Sequence, residues 1–317
     1  MSGISYLLTV YNKAPYLEGV VAGLAAQRGD FAREFIFVDD GSTDGSPELV
    51  EKLTAGWGNV TLIRQANRGP SAALNAAAAA ARLPYLKSVD ADDILVPDSS
   101  LWLLEALQTH KAVLAYGDGG SYELGQPVVM PELPAPPVSR VIADAMTMLI
   151  RNSFVSPSYM MVPADLYRQV GGCKEHIIPQ DYSLQRKLAP LGPVAYVPGP
   201  IALMPKVAPG RLSDAPARTL HDINLLLLET LRERPDLTPD HRRLAARRAT
   251  GRALKFRRRF PNDAPLAGSW LRWLRARLPL PADDARLIAD GLKDFGVPSQ
   301  LDGFHPYPRC LETGQAA

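Results

Sequence analysis

The sequence predicts an α/β fold, a mainly parallel sheet flanked by helices with a helical extension at the C-terminus. Three observations lead there. Short apolar runs alternate with helix-spaced segments over the first 116 residues, and repeated strand–helix–strand units build parallel sheets. The polar motifs "YNK", "DDGSTDGS" and "DADD" each directly follow an apolar run, and ligands of such sheets bind beyond the carboxyl ends of the strands. From about Ser213 onward the pattern is helical.

In chain order, the apolar runs Ile4–Val10, Glu34–Val38, Val60–Gln65, Tyr85–Val89 and Val113–Tyr116 are expected as strands. Tyr16–Gln27, Ser46–Ala55, Ser71–Arg82 and Pro97–Thr109 carry helical spacing between them, and Ala72–Ala81 is nearly all alanine or leucine, the strongest helix formers. "GQPVVMPELPAPPVSR" is proline-rich and expected as an extended loop. "SYMMVPADLYRQVGG" suggests a strand, a helix starting near Pro163 and a glycine stop; "QDYSLQRKLAPLG" suggests a short helix ending at Gly192. Four further helices are expected in "HDINLLLLETLRE", "PDHRRLAARRATGRALKFRRRF", "SWLRWLRARL" and "ADDARLIADGLKDFG". The expected division is a domain at 1–212, with halves of about 1–116 and 117–212, and a helical region at 213–317.

Of the 317 residues 46% are hydrophobic and 21% charged, which supports a sizeable core and argues against disorder. The net charge of +2 excludes little. Cys173 and Cys310 form neither a disulfide framework nor a C-x-x-C pattern, which points to a reducing compartment. The N-terminus runs into "ISYLLTVYN" without a basic region or cleavage site, and no apolar run reaches the roughly 18 residues of a membrane span. The expected location is cytoplasmic, with the inner membrane face as a peripheral site. The five histidines lack metal-ligand spacing, and Trp270 and Trp273 are expected in a helical core.

"DDGSTDGS" is compatible with a turn and helix cap, or with a strand-end carboxylate, Asp39, that binds a nucleotide. A phosphatase nucleophile is excluded because Val38 stands two before Asp40. In "SVDADDIL", Asp90, Asp92 and Asp93 crowd three carboxylates at a strand end, which is costly unless cations stand against them. Such a D-x-D suits Mg²⁺ or Mn²⁺, which take oxygen ligands from one or two carboxylates and substrate phosphates. The alternative is the N-cap of the helix near Pro97.

Taken in order, five stretches resemble the inverting glycosyltransferases of family 2, with the GT-A fold: "LLTVYNKAPYLEGVVAGLAAQ", "FIFVDDGSTDGS", "NRGPSAALNAA", "SVDADDIL" and the block from Ser156 to Ala189. The resemblance covers roughly the first 215 residues. It implies a nucleoside diphosphate sugar donor, with a uridine base commonest, and a Mn²⁺ or Mg²⁺ cofactor. Thr9 and Tyr11 would line the base and ribose pocket and Asp39 would hydrogen-bond the base. Asn67, Gly69 and Ala91 would lie against the donor. Asp90 would reach the ribose or a metal-bound water, Asp92 would ligate the metal, and Asp181 would be the general base. Three departures stand out. Gln180 replaces the glutamate of the family's Glu-Asp pair, Cys173 replaces a phenylalanine, and "PKVAPGRLS" places Lys206 and Ala208 at an arginine and a histidine position. Lys206 or Arg211 is the expected substitute for neutralising diphosphate.

Between His241 and Phe260 lie nine basic residues and no acid. The run suits a solvated helix face or contact with an anionic membrane or lipid-linked acceptor; nucleic acid is not expected. The expected function is sugar transfer to a saccharide or lipid-linked acceptor hydroxyl in cell-surface polysaccharide or glycolipid synthesis. The alternatives are a sugar nucleotidyltransferase, whose G-x-G-T-R signature is absent, and a non-catalytic nucleotide-sugar binder.

Overall fold

The computed structural model describes residues 2–133, 135–152, 156–207, 216–261 and 265–297. In chain order the elements are β1 (Gly3–Val10), α1 (Leu17–Ala25), β2 (Ala32–Asp39), α2 (Ser46–Leu53), β3 (Val60–Arg64), α3 (Pro70–Ala80), β4 (Tyr85–Asp90), β5 (Ile94–Leu95), α4 (Ser99–His110) and β6 (Leu114–Tyr122). They continue with β7 (Arg140–Val141), α5 (Ala145–Arg151), β8 (Met160–Pro163), α6 (Ala164–Gln169), α7 (Gln180–Leu188), β9 (Val194–Pro205), α8 (Pro216–Glu233), α9 (Pro239–Arg259), α10 (Leu266–Arg275) and α11 (Asp284–Leu292).

The chain divides into two compact units: Met1–Ala143, Phe154–Glu175 and Lys187–Pro209 form one, Asp144–Ser153, His176–Arg186 and Gly210–Ala317 the other. These are not the contiguous halves that a boundary at residue 212 implies. Ile150 of α5 shares an apolar cluster with Leu227, Leu231, Ala245 and Ala249, and the Tyr182 hydroxyl of α7 donates to the Leu149 carbonyl. Burial of these side chains draws both segments into the helical unit.

The first unit holds a single sheet in the order β3-β2-β1-β4-β8-β6-β9-β5, with β7 on β9. Its first four strands are parallel. β1 and β2 are buried along nearly their whole length, as strands covered on both faces are. The small side chains of Ala72, Ala73, Ala77 and Ala78 are buried on α3. The sequence implies that β6 joins this parallel run directly. Instead β8 lies between β4 and β6, antiparallel to both.

β9 was not expected, because Pro198, Gly199 and Pro200 interrupt its pattern. β6 and β9 accommodate them with register shifts around Asp118, the behaviour of a bulged pair. β6 also runs past the expected end at Tyr116 through "GDGGSY". A Cβ on Gly119 would stand 2.3 Å from the Tyr159 ring and one on Gly117 2.5 Å from Ile201. Bare glycines let the strand pass there.

In the helical unit, Leu227, Leu228, Leu231, Leu237, Ala245, Ala246, Ala249, Ala276 and Ile288 form the core. The basic run of α9 is only partly solvated: Arg247, Arg248, Lys255, Arg258 and Arg259 are exposed, and several of its arginines are hydrogen-bonded within the unit. Arg242 donates to the carbonyls of Leu231 and Arg234, Arg243 to those of Arg275 and Leu280, and Arg247 to that of Ala276. Arg252 donates to Asn224, and Arg257 is buried. These guanidinium groups satisfy carbonyls that helix ends leave open. Trp270 departs from the expected core position and is exposed.

Glu34 joins three parts of the sheet unit. It is buried and accepts hydrogen bonds from the Ser5 hydroxyl, the backbone amides of Arg82 and Leu83, and Arg82 Nε. Burial pushes its carboxyl up, but these donors outweigh it and hold the pKa below the ordinary 4.5. A depressed folded-state pKa contributes stability above the unfolded value and loses it as pH falls through the folded one. Glu34→Ala is expected to lower unfolding free energy by about 2–4 kcal/mol at neutral pH. In urea melts the difference from wild type should shrink as pH falls below 4.5; a difference that holds constant to lower pH would remove the carboxylate from the explanation.

Candidate active site

The carboxyl ends of β1, β2 and β4 lie side by side. Thr9 pairs in register with Val38 and with Asp90, and Val10 with Asp39. Thr9 and Tyr11 are half-buried and Asp39 is buried. Asp39 accepts weakly from the Ser42 amide at 3.3 Å. The turn after β1 is stitched to the loop after β2. Asn12, at φ 52°, accepts from the Thr43 amide at 2.8 Å and donates its own amide to Ser42 Oγ at 2.9 Å. The Lys13 amide donates to Ser46 Oγ at 2.9 Å, and the Ala14 amide to Asp44 at 3.0 Å.

Asp40 has a role the sequence reading missed. Its buried carboxylate accepts from Gln65 Nε2 (2.7 Å) and from the amides of Arg68 (2.9 Å) and Gly69 (2.8 Å). Burial pushes its carboxyl up, Asp39 adds to the rise, and the three donors offset part of it. Asp40 thereby fixes the loop that carries Asn67, which is exposed, and Gly69, whose φ of 88° favours glycine. At the far end of the same stretch, Asn75 accepts from the Cys173 amide and the Tyr167 hydroxyl and donates to the Cys173 carbonyl. A Cβ on Gly172 would stand 2.3 Å from Asn75 Oδ1, so this junction requires a bare backbone.

The three carboxylates after β4 meet two lysines. Lys13 Nζ lies 2.5 Å from Asp92 Oδ2. Lys87, fully buried in β4, donates to the carbonyls of Ser88 and Ser158. Burial pulls its pKa down to about 7, against the pull of Asp93 and Asp90. Asp93 is pushed well above the carboxylate range by burial first, then by Asp90 and Asp92. One of its oxygens, Oδ2, has no hydrogen-bond partner among the described residues. Asp90 takes a hydrogen bond from Ser156 Oγ, and its amide donates to Ser158 Oγ at 2.8 Å. The Tyr122 hydroxyl donates to the Asp92 carbonyl, and the Tyr122 carbonyl accepts from the Lys206 amide.

The other expected residues fall as follows. The Ala91 methyl is buried in the apolar core with Val10, Leu17 and Leu95. Lys206 is near the carboxylates through Tyr122, but its ammonium pairs with Glu123 at 2.6 Å. Arg211 and Ala208 lie outside the described residues. Asp181 belongs to the helical unit, half-buried in the first turn of α7 beside buried Gln180. Gln180 Oε1 has no hydrogen-bond partner among the described residues. Lysines in these positions carried a readable signal: Lys87 interrupts an apolar strand run, and Lys13 sits in the strand-end motif.

Among the described residues no three His, Cys, Asp or Glu side chains form a ready-made metal cage. A hard cation completed by substrate phosphates needs only one or two carboxylates. Asp92 fits that mode: its carboxylate stands at the strand end and already holds a cation, Lys13.

Residues 5–171 match the family described as glycosyl transferase family 2. The poly-beta-1,6-N-acetyl-D-glucosamine synthase of Staphylococcus aureus strain COL is 30% identical over 105 residues, 33% of this chain and 25% of that protein. An uncharacterised glycosyltransferase of Nostoc sp. is 35% identical over 111 residues, 35% of this chain and 34% of that protein. The chain thus aligns with only a quarter to a third of the length of these curated relatives. Among solved structures, S. aureus TarS 1–349 in complex with UDP-GlcNAc has a TM-score of 0.62 at 17% identity, covering 93% of this chain and 89% of that one. The mannosyltransferase PcManGT from Pyrobaculum calidifontis, in complex with GDP-Man and Mn²⁺, has a TM-score of 0.58 at 16% identity, covering 92% and 85%. At such identities the likeness speaks for the fold, which is GT-A-like. With more than half of its residues matched by the family, the chain belongs to glycosyl transferase family 2.

Proposed function

We propose that this protein transfers a sugar from a nucleoside diphosphate sugar, a UDP-sugar, to an acceptor hydroxyl with inversion at the anomeric carbon. The observation that carries the reading is the strand-end arrangement of Thr9, Asp39, Asp90 and the Lys13–Asp92 pair. The solved neighbours, which hold UDP-GlcNAc and GDP-Man, support a nucleotide-sugar donor. The name of the staphylococcal relative supports a polysaccharide product, with a saccharide or lipid-linked acceptor.

In this reading the base and ribose lie over the ends of β1 and β2, against Thr9, Tyr11 and Asp39. The loop fixed by Asp40 brings the backbone at Gly69 close to the donor. Mn²⁺ or Mg²⁺, when bound at Asp92, supplies positive charge for the leaving diphosphate. Lys13 supplies a further cation beside the same phosphates. Asp181 takes the proton of the acceptor hydroxyl as that oxygen bonds to the anomeric carbon and the bond to the diphosphate breaks. Gln180 places a neutral amide beside Asp181 where the family pattern has a glutamate.

The donor site is tested by calorimetric titration of UDP and uridine with and without Mn²⁺. Asp92→Asn should weaken UDP binding in Mn²⁺ while hardly changing uridine binding; equal loss of both would remove Asp92 from the diphosphate site. Lys13→Met should tighten the apparent Mn²⁺ affinity measured by electron paramagnetic resonance, because lysine and metal compete for one carboxylate. An unchanged or weaker affinity would contradict that competition.

Asp181→Asn should leave UDP affinity at the wild-type value and slow transfer on the order of 10²–10⁴-fold, the usual loss for a general base. Donor hydrolysis serves as the readout until an acceptor is identified. Wild-type rates in the variant would reduce Asp181 to a residue of the helix start. A wild-type protein that binds UDP but releases no sugar with any acceptor would favour the non-catalytic alternative.

A further inference from the structure

The helix α10 is amphipathic in an unusual place. Only Ser269 of its residues is buried. Leu271 is 66% exposed, Leu274 46% and Trp270 43%, and the following turn adds Leu278 and Leu280. The Leu278 amide donates to the Leu274 carbonyl at 3.1 Å, so the helical path continues into that turn. Trp270, Leu274 and Leu278 therefore follow one another at four-residue steps on one side. A solvated helix has no use for such a stripe, and the stripe is not part of the unit's core.

The charge around this face is of one sign. No acidic residue occurs from Leu266 to Ala282. Arg243 and Arg272 are paired with Asp284 and Asp294. Arg247, Arg275 and Arg277 have no ion pair among the described residues, and Arg275 donates to the Pro281 carbonyl. Arg247 Nε donates to the Ala276 carbonyl, and Arg277 donates to the Arg247 carbonyl and to that of Trp273. Burial and the nearness of Arg247 hold the Arg277 guanidinium below its usual range. Unopposed cations beside an exposed leucine and tryptophan face match the two components of an anionic membrane surface, its phosphates and its acyl boundary. No described helix is long and apolar enough to cross a membrane, so the helix would lie along the surface.

We propose that the face of Trp270, Leu271, Leu274, Leu278 and Leu280 is a docking surface for an anionic lipid bilayer. Its leucines and tryptophan enter the interfacial layer, and Arg247, Arg275 and Arg277 meet lipid phosphates. The basic run of α9 takes part only through Arg247; its other hydrogen-bonded arginines hold the helical unit together.

The test is co-sedimentation of the full chain with vesicles of phosphatidylcholine, alone or mixed with phosphatidylglycerol. Binding should require the anionic lipid and weaken with salt. Leu271→Glu combined with Leu274→Glu should reduce the bound fraction about tenfold or more. Tryptophan emission should shift to the blue on binding, and Trp270→Phe should abolish most of that shift. Because Trp270 is exposed, this variant reports on the face even if the double variant does not fold. Absence of binding, binding indifferent to lipid charge, or a blue shift that survives in Trp270→Phe would overturn the proposal. So would a concentration-dependent dimer that Leu274→Glu dissociates while vesicles leave the emission unchanged, since the face would then join two copies of this chain.

Discussion

Everything at the ligand end of the sheet is arranged around one constraint, the crowding of carboxylates where three parallel strands stop. Asp39 and Asp40 end β2, and Asp90, Asp92 and Asp93 follow in and just beyond β4. Together they would repel one another and resist burial. The fold answers with two lysines and a set of directed amides. Lys13 holds Asp92, buried Lys87 opposes Asp93 and Asp90, and three N–H donors converge on Asp40. The remaining negative charge is what a diphosphate-bound cation would complete.

That balance explains why the polar loops are so tightly bonded to each other. The turn that carries Lys13 to Asp92 is tied to the loop after β2 through Asn12, Ser42, Thr43 and Ser46. Asp40 in turn fixes the loop before α3, and Asn75 on α3 fixes the segment at Gly172–Cys173. Positions 12, 40 and 75 thus each anchor a separate loop of the sheet unit by polar contacts.

The helical unit uses charge differently. Some of its arginines pair with carboxylates, as Arg243 does with Asp284 and Arg272 with Asp294, while others donate to main-chain carbonyls and to neutral partners such as Asn224 and Thr230. Arg186 is buried and donates to the Thr230 hydroxyl, the Tyr182 hydroxyl and the Leu149 carbonyl, and burial lowers its pKa. A count of basic residues along α9 therefore overstates the positive surface. Arg248, Lys255, Arg258 and Arg259 of α9 remain exposed, as does Arg275 of α10.

The sequence by itself determined the alternation of strands and helices, a mainly parallel sheet, the helical C-terminal part and the family. Each of these rests on local periodicity or on a contiguous motif, and neither needs the third dimension. Periodicity could not show β9, because prolines and glycines hide a strand whose partner tolerates a bulge. It could not separate Asp39 from Asp40, since neighbouring carboxylates differ only in which amides surround them. It placed Trp270 in a core when it is exposed. Tertiary structure decided these matters, together with the Lys13–Asp92 pair across 79 positions of sequence and the satisfaction of the α9 arginines. The physical reason is common to all of them: burial and hydrogen bonding depend on groups brought together from distant parts of the chain.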